Sequence, residues 1–349
     1  MSRFILLLGM LAAGFALGCG QGGSPLASVD GGDGFACQDA SVQIVAGDFS
    51  IVSAEGLAAL VPAGQPCFAI EGDLRISSEK LKNLAPLGGL TAVSGDLYIH
   101  NNPKLKSLAA LGQLKEVGGY FGLYRNGALK SLAGLDGLER VGGSVGVTAH
   151  TALKSLAGLG KLRHVGIDFM VNDNRSLTSL EGLDSLTEVP GSLSIVDNPQ
   201  LASLAALSRL EHIGGLGIRG NALLQDLAGL EGISRIPDTV RINANASLRS
   251  CQGLGALTRV EGSLIVEGNG NLENLNGLES LVYIGWALAI LKNDSLSRLD
   301  ALANLAQIRH SVMIIDNGEL PQPAVDGLVS HLVQAGFIGK VEVEGNLLQ

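Results

Sequence analysis

Gly191 to Ile213 reads GSLSIVDNPQLASLAALSRLEHI, and the chain on either side repeats it at a nearly constant interval. Leu207 has counterparts at Leu87, Leu111, Leu135, Leu159, Leu183, Leu230, Leu254, Leu278 and Leu302, 24 residues apart except for one step of 23. Self-similarity at a fixed period of this length marks a solenoid, in which each coil buries its apolar side chains only against the coils above and below. Leu193 and Ile195 alternate with polar residues, as in a half-buried strand. Leu201, Leu204, Leu207, Leu210 and Ile213 then recur every third residue. An amphipathic helix needs threes and fours in alternation. Strict threes predict short straight segments and corners, each corner aiming one apolar side chain inward.

Three residues after the second strand position stands Asn102, Asn126, Asn174, Asn198, Asn221, Asn245, Asn269, Asn293, Asn317 or Asn346, with His150 as the single exception. Asn tolerates unusual turn backbone, and its amide can satisfy main-chain groups of neighbouring coils, so this column is expected to be a structural ladder rather than a row of ligands. The Asn-x-Ser triplets at Asn174, Asn245 and Asn293 fall inside the ladder and are not read as glycosylation sites.

The pattern Gly-x-Leu-x-Ile-x-x-Asn-x-x-Leu-x-x-Leu-x-x-Leu-x-x-Leu-x-x-Val, running from about Gly47 to Asn346, resembles the receptor L-domain family, a leucine-rich right-handed β-helix. It differs from the commoner leucine-rich repeat in having two residues rather than one between the Asn and the next Leu, which argues against a helix-backed horseshoe. The resemblance implies binding rather than catalysis. It carries over no ligand-contacting residue, because the matching positions are core or turn.

Met1 to Gly18 reads as a secretion signal, with Arg3 before an apolar run from Phe4 to Leu17 that is short for a membrane span. Ala16-Leu17-Gly18-Cys19 resembles a bacterial lipobox, which implies that Cys19 becomes a lipidated first residue anchored in the membrane; the alternative is an ordinary cleaved signal with an incidental Cys. Gly20 lacks the Asp associated with inner-membrane retention, so the expected location is the outer membrane of a bacterial envelope. Residues 19–36 are Gly- and Ser-rich and read as a flexible tether.

Order is expected from Cys37, with an N-terminal cap over residues 37–70. The spacing from Leu57 to Leu87, 30 residues, suggests a six-residue insertion that contains Cys67. Cys37 and Cys67 lie in irregular first coils, where an open solenoid end needs closing, and in an oxidising compartment they are expected to form a disulfide. Cys251 stands in a Leu slot and reads as a buried apolar residue, not a nucleophile. At the other end, Val325, Leu328, Val329 and Leu332 share one helical face before Gly336, and Lys340 to Asn346 replays the strand and Asn slots. A cap over 321–349 follows: a helix, then an edge strand whose Lys340, Glu342 and Glu344 discourage further pairing. The whole is expected to be one all-β domain over residues 37–349, a right-handed β-solenoid of about 12 coils at roughly 4.8 Å each.

Composition agrees. Apolar residues make up 46% and aromatics only 4%, which suits a narrow aliphatic core, and 49 Gly supply corners. A net charge of −9 with scattered basic residues gives no sign of nucleic-acid binding. No phosphate-cradling loop or nucleophile elbow is present, and no cofactor is expected. The column Glu116, Arg140, His164, Glu188, His212, Arg235, Arg259 and Tyr283 brings His164, Glu188 and His212 to adjacent coils. That arrangement has a metal-binding reading, but alternating charge is what a solvated ladder shows, and no metal site is assigned.

Two surfaces are candidates for a partner. Early coils place Arg75, Tyr98, His100, Tyr124 and Arg125 outward beside bare Gly122 and Gly146, a mixture found at interface anchors or in ordinary surface scatter. Late coils place Ile265, Ala289, Leu291, Met313 and Ile315 outward, either open to a partner or covered by the C-terminal helix. The expected function is a lipid-anchored, non-enzymatic binding or adhesion module for a protein or glycan. A structural envelope protein with no dedicated ligand is the alternative.

Overall fold

A computed structural model describes residues 42–63 and 67–347. The Leu-x-Ile strands pair in parallel, each with the strand one coil on: Phe49–Ile51, Leu74–Ile76, Leu97–His100, Phe121–Tyr124, Val145–Thr148 and Phe169–Asn172 in succession. The stack continues through Leu193, Leu216, Val240, Leu264 and Leu288 to Ser311–Ile315. Like slots face like, Leu97 against Phe121 and Ile99 against Leu123. Shorter strands at the corner Val or Ile stack the same way, Glu116–Val117 on Arg140–Val141 on His164–Val165. The chain is a parallel β-solenoid built on the leucine-rich repeat.

The stretch of threes is neither helix nor strand. The Leu207 N–H donates to the Leu204 carbonyl at 2.9 Å, and the Leu210 N–H to the Leu207 carbonyl at 2.8 Å. A chain of bonds three residues apart is 3₁₀-type geometry, in which side chains at i and i+3 eclipse, so a period of three turns every Leu to the same side. Leu193, Ile195, Leu201, Leu204, Leu207, Leu210 and Ile213 are accordingly all buried. Each contributes roughly 1.5–3 kcal/mol of burial, so the coil is held mainly by its aliphatic filling.

One column selects between two forms of this turn. Where it holds Ala110, Ala206 or Ala301, a short 3₁₀ segment forms, as over Ala205–Leu207. Where it holds Gly182, φ is +107° and an added Cβ would strike the Leu156 carbonyl of the preceding coil. Only Gly fits that close backbone approach.

The 23-residue step of the Leu207 series lies at Gly214-Gly215, two residues where the previous coil has Pro190, Gly191 and Ser192. With the corner shortened, strands Glu188–Val196 and His212–Arg219 run through it, and their register shifts between Val189 and Ser192. The short strands from Arg235–Ile236 onward form a separate four-stranded sheet.

Three expectations need correction. The first coils hold no six-residue insertion: Phe49 pairs with Leu74 and Leu74 with Leu97, steps of 25 and 23. Leu57 lies on helix α1 (Ala54–Ala59), capped by Ser53, so its distance from Leu87 does not measure the repeat. Second, the unusual backbone belongs to the residue before each ladder Asn: Asn101, Arg125, Ala149, Asp173, Asp197, Ala244, Lys292 and Asp316 have φ of 51–61°. The Asn supplies the hydrogen bonds and its neighbour the left-handed turn. Third, the ladder starts one slot before its first Asn, where the buried Ser78 donates its N–H to Asn102 Oδ1 at 2.7 Å.

The signal over 1–18, the tether over 19–36, Cys19 and Cys37 lie outside the described residues. Cys67 is fully buried at the start of the array. Cys251 is a free thiol in the core, pushed up to about 12 by burial, which leaves it protonated and unreactive at neutral pH. Helix α2 (Gln322–Gln334) buries Val325, Leu328 and Leu332, with Val329 partly buried beside them. The last strand, Lys340–Glu344, pairs with Ser311–Ile315.

Candidate binding surface

The ladder asparagines are buried and fully engaged. Asn174 Nδ2 donates to the Val147 carbonyl at 2.9 Å, while Asn174 Oδ1 accepts from the His150 N–H at 3.1 Å. The same scheme recurs at Asn126, Asn198, Asn221, Asn245, Asn269, Asn293 and Asn317. These side chains have no freedom to meet a ligand. The Asn-x-Ser triplets are equally inaccessible, since Asn174, Asn245 and Asn293 are all buried.

The charged column stacks as expected, with Glu116 beside Arg140, His164 beside Glu188 and Glu188 beside His212. Arg140 pairs with Glu116 at 3.5 Å and His164 Nδ1 with Glu188 at 3.2 Å, both at half-exposed sites where such pairs contribute little. Arg259 lies 3.9 Å from the Tyr283 ring centroid. Among the described residues no group of His, Cys, Asp and Glu is arranged to hold a metal ion.

The outer face of the early long strands carries a built arrangement. Tyr98 and Tyr124 come together as expected, and Tyr120, unforeseen in the sequence, completes the group. Ring centroids are 5.2 Å apart for Tyr98 and Tyr120, 6.2 Å for Tyr120 and Tyr124, and 6.5 Å for Tyr98 and Tyr124, with planes within 24° of one another. Gly122 and Gly146 are therefore not a bare floor. A Cβ at Gly122 would lie 2.6 Å from the Tyr120 ring and 3.0 Å from Tyr98, and one at Gly146 would strike the Tyr120 hydroxyl. Two adjacent glycines leave the space that three tyrosine rings fill.

Arg75 closes one side, 5.4 Å from the Tyr98 centroid and paired with Asp73 at 2.8 Å. His100 lies beside Tyr124 in the register, and burial with the nearby Arg75 lowers its pKa, so it is neutral at pH 7. Burial first and Tyr98 second raise the Tyr124 phenol well above its ordinary value. Burial and then Asp73 raise the Asp96 carboxyl. Arg125 stands exposed at the corner with φ 51°. Two polar atoms on this face are buried without a hydrogen-bond partner: Tyr120 Oη and Asn172 Oδ1.

The late stripe is less prominent than the sequence suggested. Ala289 is buried, and Ile265, Leu291, Met313 and Ile315 are only partly exposed, lying side by side in the sheet with Glu342 and Glu344 of the last strand as neighbours. Helix α2 does not lie across them. It seats against the turn segment, where Arg298, Leu299, Asp300 and Ala303 share a groove with Pro323, Ala324, Gly327 and Leu328, and His331 Nε2 donates to the Leu305 carbonyl at 3.1 Å. Trp286, not singled out in the sequence, is 56% exposed and stacks on His310 at 4.3 Å.

No protein-family model matches the chain. None of the curated proteins matches it either. Among solved structures, an internalin from Listeria monocytogenes str. 4b F2365 is similar at 18% identity and a TM-score of 0.41, with 88% of this chain and 82% of that chain covered. A likeness of that size says nothing about function, and the resemblance to receptor L-domains rests on the repeat alone.

Proposed function

We propose that the chain is a lipid-anchored bacterial envelope protein whose solenoid is a non-enzymatic binding or adhesion module. The tyrosine group over Gly122 and Gly146 carries the binding half of this reading. A scaffold with no ligand has no use for three stacked rings and two unpaired polar atoms on an outer face, since no other coil places Tyr in these slots and the neighbouring coils put Asp96, Ser144, Asp168 and Ser192 where Tyr120 stands. The anchoring half rests on Arg3, the apolar run to Leu17 and Ala16-Leu17-Gly18-Cys19. On this reading Cys19 is the lipid attachment site, residues 20–36 hold the rod off an outer membrane, and Cys37 bonds to the buried Cys67 to close the first coil.

Replacing Cys19 with Ala tests the anchor. The variant is expected to move from the membrane pellet to the soluble envelope fraction, because a cleaved signal leaves nothing apolar behind. Sedimentation with membranes after a high-salt wash would refute it. For the module itself, protease treatment of intact cells should trim the full chain if it faces a partner outside, whereas protection until the outer membrane is opened places the face toward the periplasm.

A further inference from the structure

We infer that the face between Tyr98 and Asn172 is a binding site for a neutral sugar ring of a glycan, an inference that rests on the binding-module reading above and names its ligand class. Tyr120 gives up a bond that its slot makes in other coils. In its slot Asp96 Oδ1 accepts the Tyr120 N–H at 2.7 Å, and Asp168 Oδ1 accepts the Ser192 N–H at 2.8 Å. A phenol reaches over the sheet and cannot make that bond to the coil beyond. Tyr120 instead leans across Gly122 with its hydroxyl above Gly146, buried and unpartnered. Both the forgone coil-to-coil bond and the stranded hydroxyl work against stability, so the residue is not explained by the fold.

The second stranded atom lies one strand further on. Gly146 pairs with Met170 and Thr148 with Asn172, so Asn172 sits on the same outer face, and its Oδ1 has no donor. A phenol O–H without an acceptor and an amide oxygen without a donor are both met by the hydroxyls of a polyol, because each hydroxyl can accept one bond and donate another. Aromatic rings stand on the same face, with the Tyr120 and Tyr124 planes 1° apart. A pyranose presents an apolar C–H face to such rings and hydroxyls at its edge, which is the usual make-up of a small-ligand site: apolar walls and few polar groups.

Charge narrows the class. The outward side chains from Tyr98 to Asn172 are Tyr98, His100, Tyr124, Thr148, Met170 and Asn172, with glycine at 122 and 146. None is a carboxylate or a free cation at pH 7, and Arg75 at the margin is paired with Asp73. The strand residues that would meet a ring are thus uncharged, with charge confined to the rim, where the Asp96 carboxyl lies beside Tyr98 and Arg125 is exposed next to Tyr124. The Tyr120 hydroxyl is buried over Gly146, so the sugar enters as Tyr120 or Tyr124 swings aside, gaining hydrogen bonds that the two orphan atoms lack.

The test is titration of the full chain, in detergent, with the neutral hexasaccharides of glucose, mannose and N-acetylglucosamine, followed by tyrosine fluorescence and by calorimetry. At least one sugar is expected to bind with a Kd on the order of micromolar to millimolar. Tyr120→Phe and Asn172→Leu are each expected to weaken it by about tenfold. Tyr120→Phe should leave the melting temperature unchanged or raise it, because it deletes an unsatisfied group, so lost binding is not lost folding. If none of the three sugars binds at millimolar concentration, or if both variants bind as the unaltered protein does, the inference is wrong. A polypeptide that perturbs the same tyrosines when the sugars fail would leave the binding module standing and remove only the sugar; a face that responds to neither would remove both.

Discussion

Asn198 donates from Nδ2 to the Val171 carbonyl at 2.8 Å and to the Val196 carbonyl at 3.1 Å, and its Oδ1 accepts from the Asn174 N–H at 3.1 Å. Asn198→Ala strands these partners in a fully buried site and is expected to cost roughly 1–3 kcal/mol, read as a lower melting temperature. An unchanged midpoint would mean that the ladder is decorative. His150 meets the same demand with different atoms. Its Nδ1 lies 3.2 Å from Asn174 Oδ1, which only accepts, so Nδ1 carries the proton; Nε2 is left as the acceptor for Asn126 Nδ2 at 3.5 Å. Burial lowers its pKa from 6.5 to about 4, partly offset by the Asn174 bond. The unfolded chain therefore binds a proton between pH 6.5 and 4 that the folded chain refuses, so this contribution is complete above pH 6.5 and is lost as the pH falls toward 4. The loss amounts to about 3 kcal/mol. His150→Asn should restore a side-chain bond to the Leu123 carbonyl, the counterpart of the one from Asn174 to Val147, and flatten the pH dependence of melting in that window. A slope unchanged by the substitution would assign the acid sensitivity elsewhere.

The elements were legible wherever the side chain itself does the packing. Leu193, Ile195 and the Leu run announced strands and turns because their spacing is set by which way each residue points. Backbone-driven features were harder to see. The left-handed turn before the ladder residue favours Asn, Asp and Gly, at Asn101, Asp173, Asp197, Gly220, Gly268, Asp316 and Gly345, but Arg125, Ala149, Ala244 and Lys292 interrupt the column, so it is less regular than the Asn column beside it. The column holding Gly182 is more transparent in retrospect, because Gly and Ala there mark two different turns. Gly182→Ala adds a Cβ against the Leu156 carbonyl at φ +107° and should destabilise the fold by about 1–3 kcal/mol in urea unfolding. Gly255→Ala, with open space around its Cβ, should be within about 0.5 kcal/mol of the unaltered chain. Equal midpoints for the two variants would show that coil contacts yield more easily than the stacked backbones suggest.

Among the described residues each strand of the array pairs with the strands of the neighbouring coils, so stability is close to a sum over coils and the ends carry the burden of closure. The site was half legible for the same reason: the repeat made Tyr98 and Tyr124 stand out in strand slots, whereas Tyr120 sits in a corner slot and Gly122 looked empty until three rings were found above it. The C-terminal closure leads to the last expectation. Strand Ser311–Ile315 is paired on its outer side by Lys340–Glu344, and α2 covers the apolar interior at that end with Val325, Leu328 and Leu332. Removing residues 321–349 uncovers both the hydrogen-bonding edge and the core beneath it, without the charges of Lys340, Glu342 and Glu344 to deter a second chain. The truncated protein is expected to self-associate in a concentration-dependent manner by analytical ultracentrifugation. Deleting residues 246–269, one whole coil of 24 that joins Asn245 to Gly270, keeps both ends and every interface type, and should give a folded chain of the same oligomeric state as the unaltered one, with a lower melting temperature. If the internal deletion unfolds the chain while the truncation leaves it unassociated and equally stable, then stability does not accumulate coil by coil and the cap is not what closes the rod.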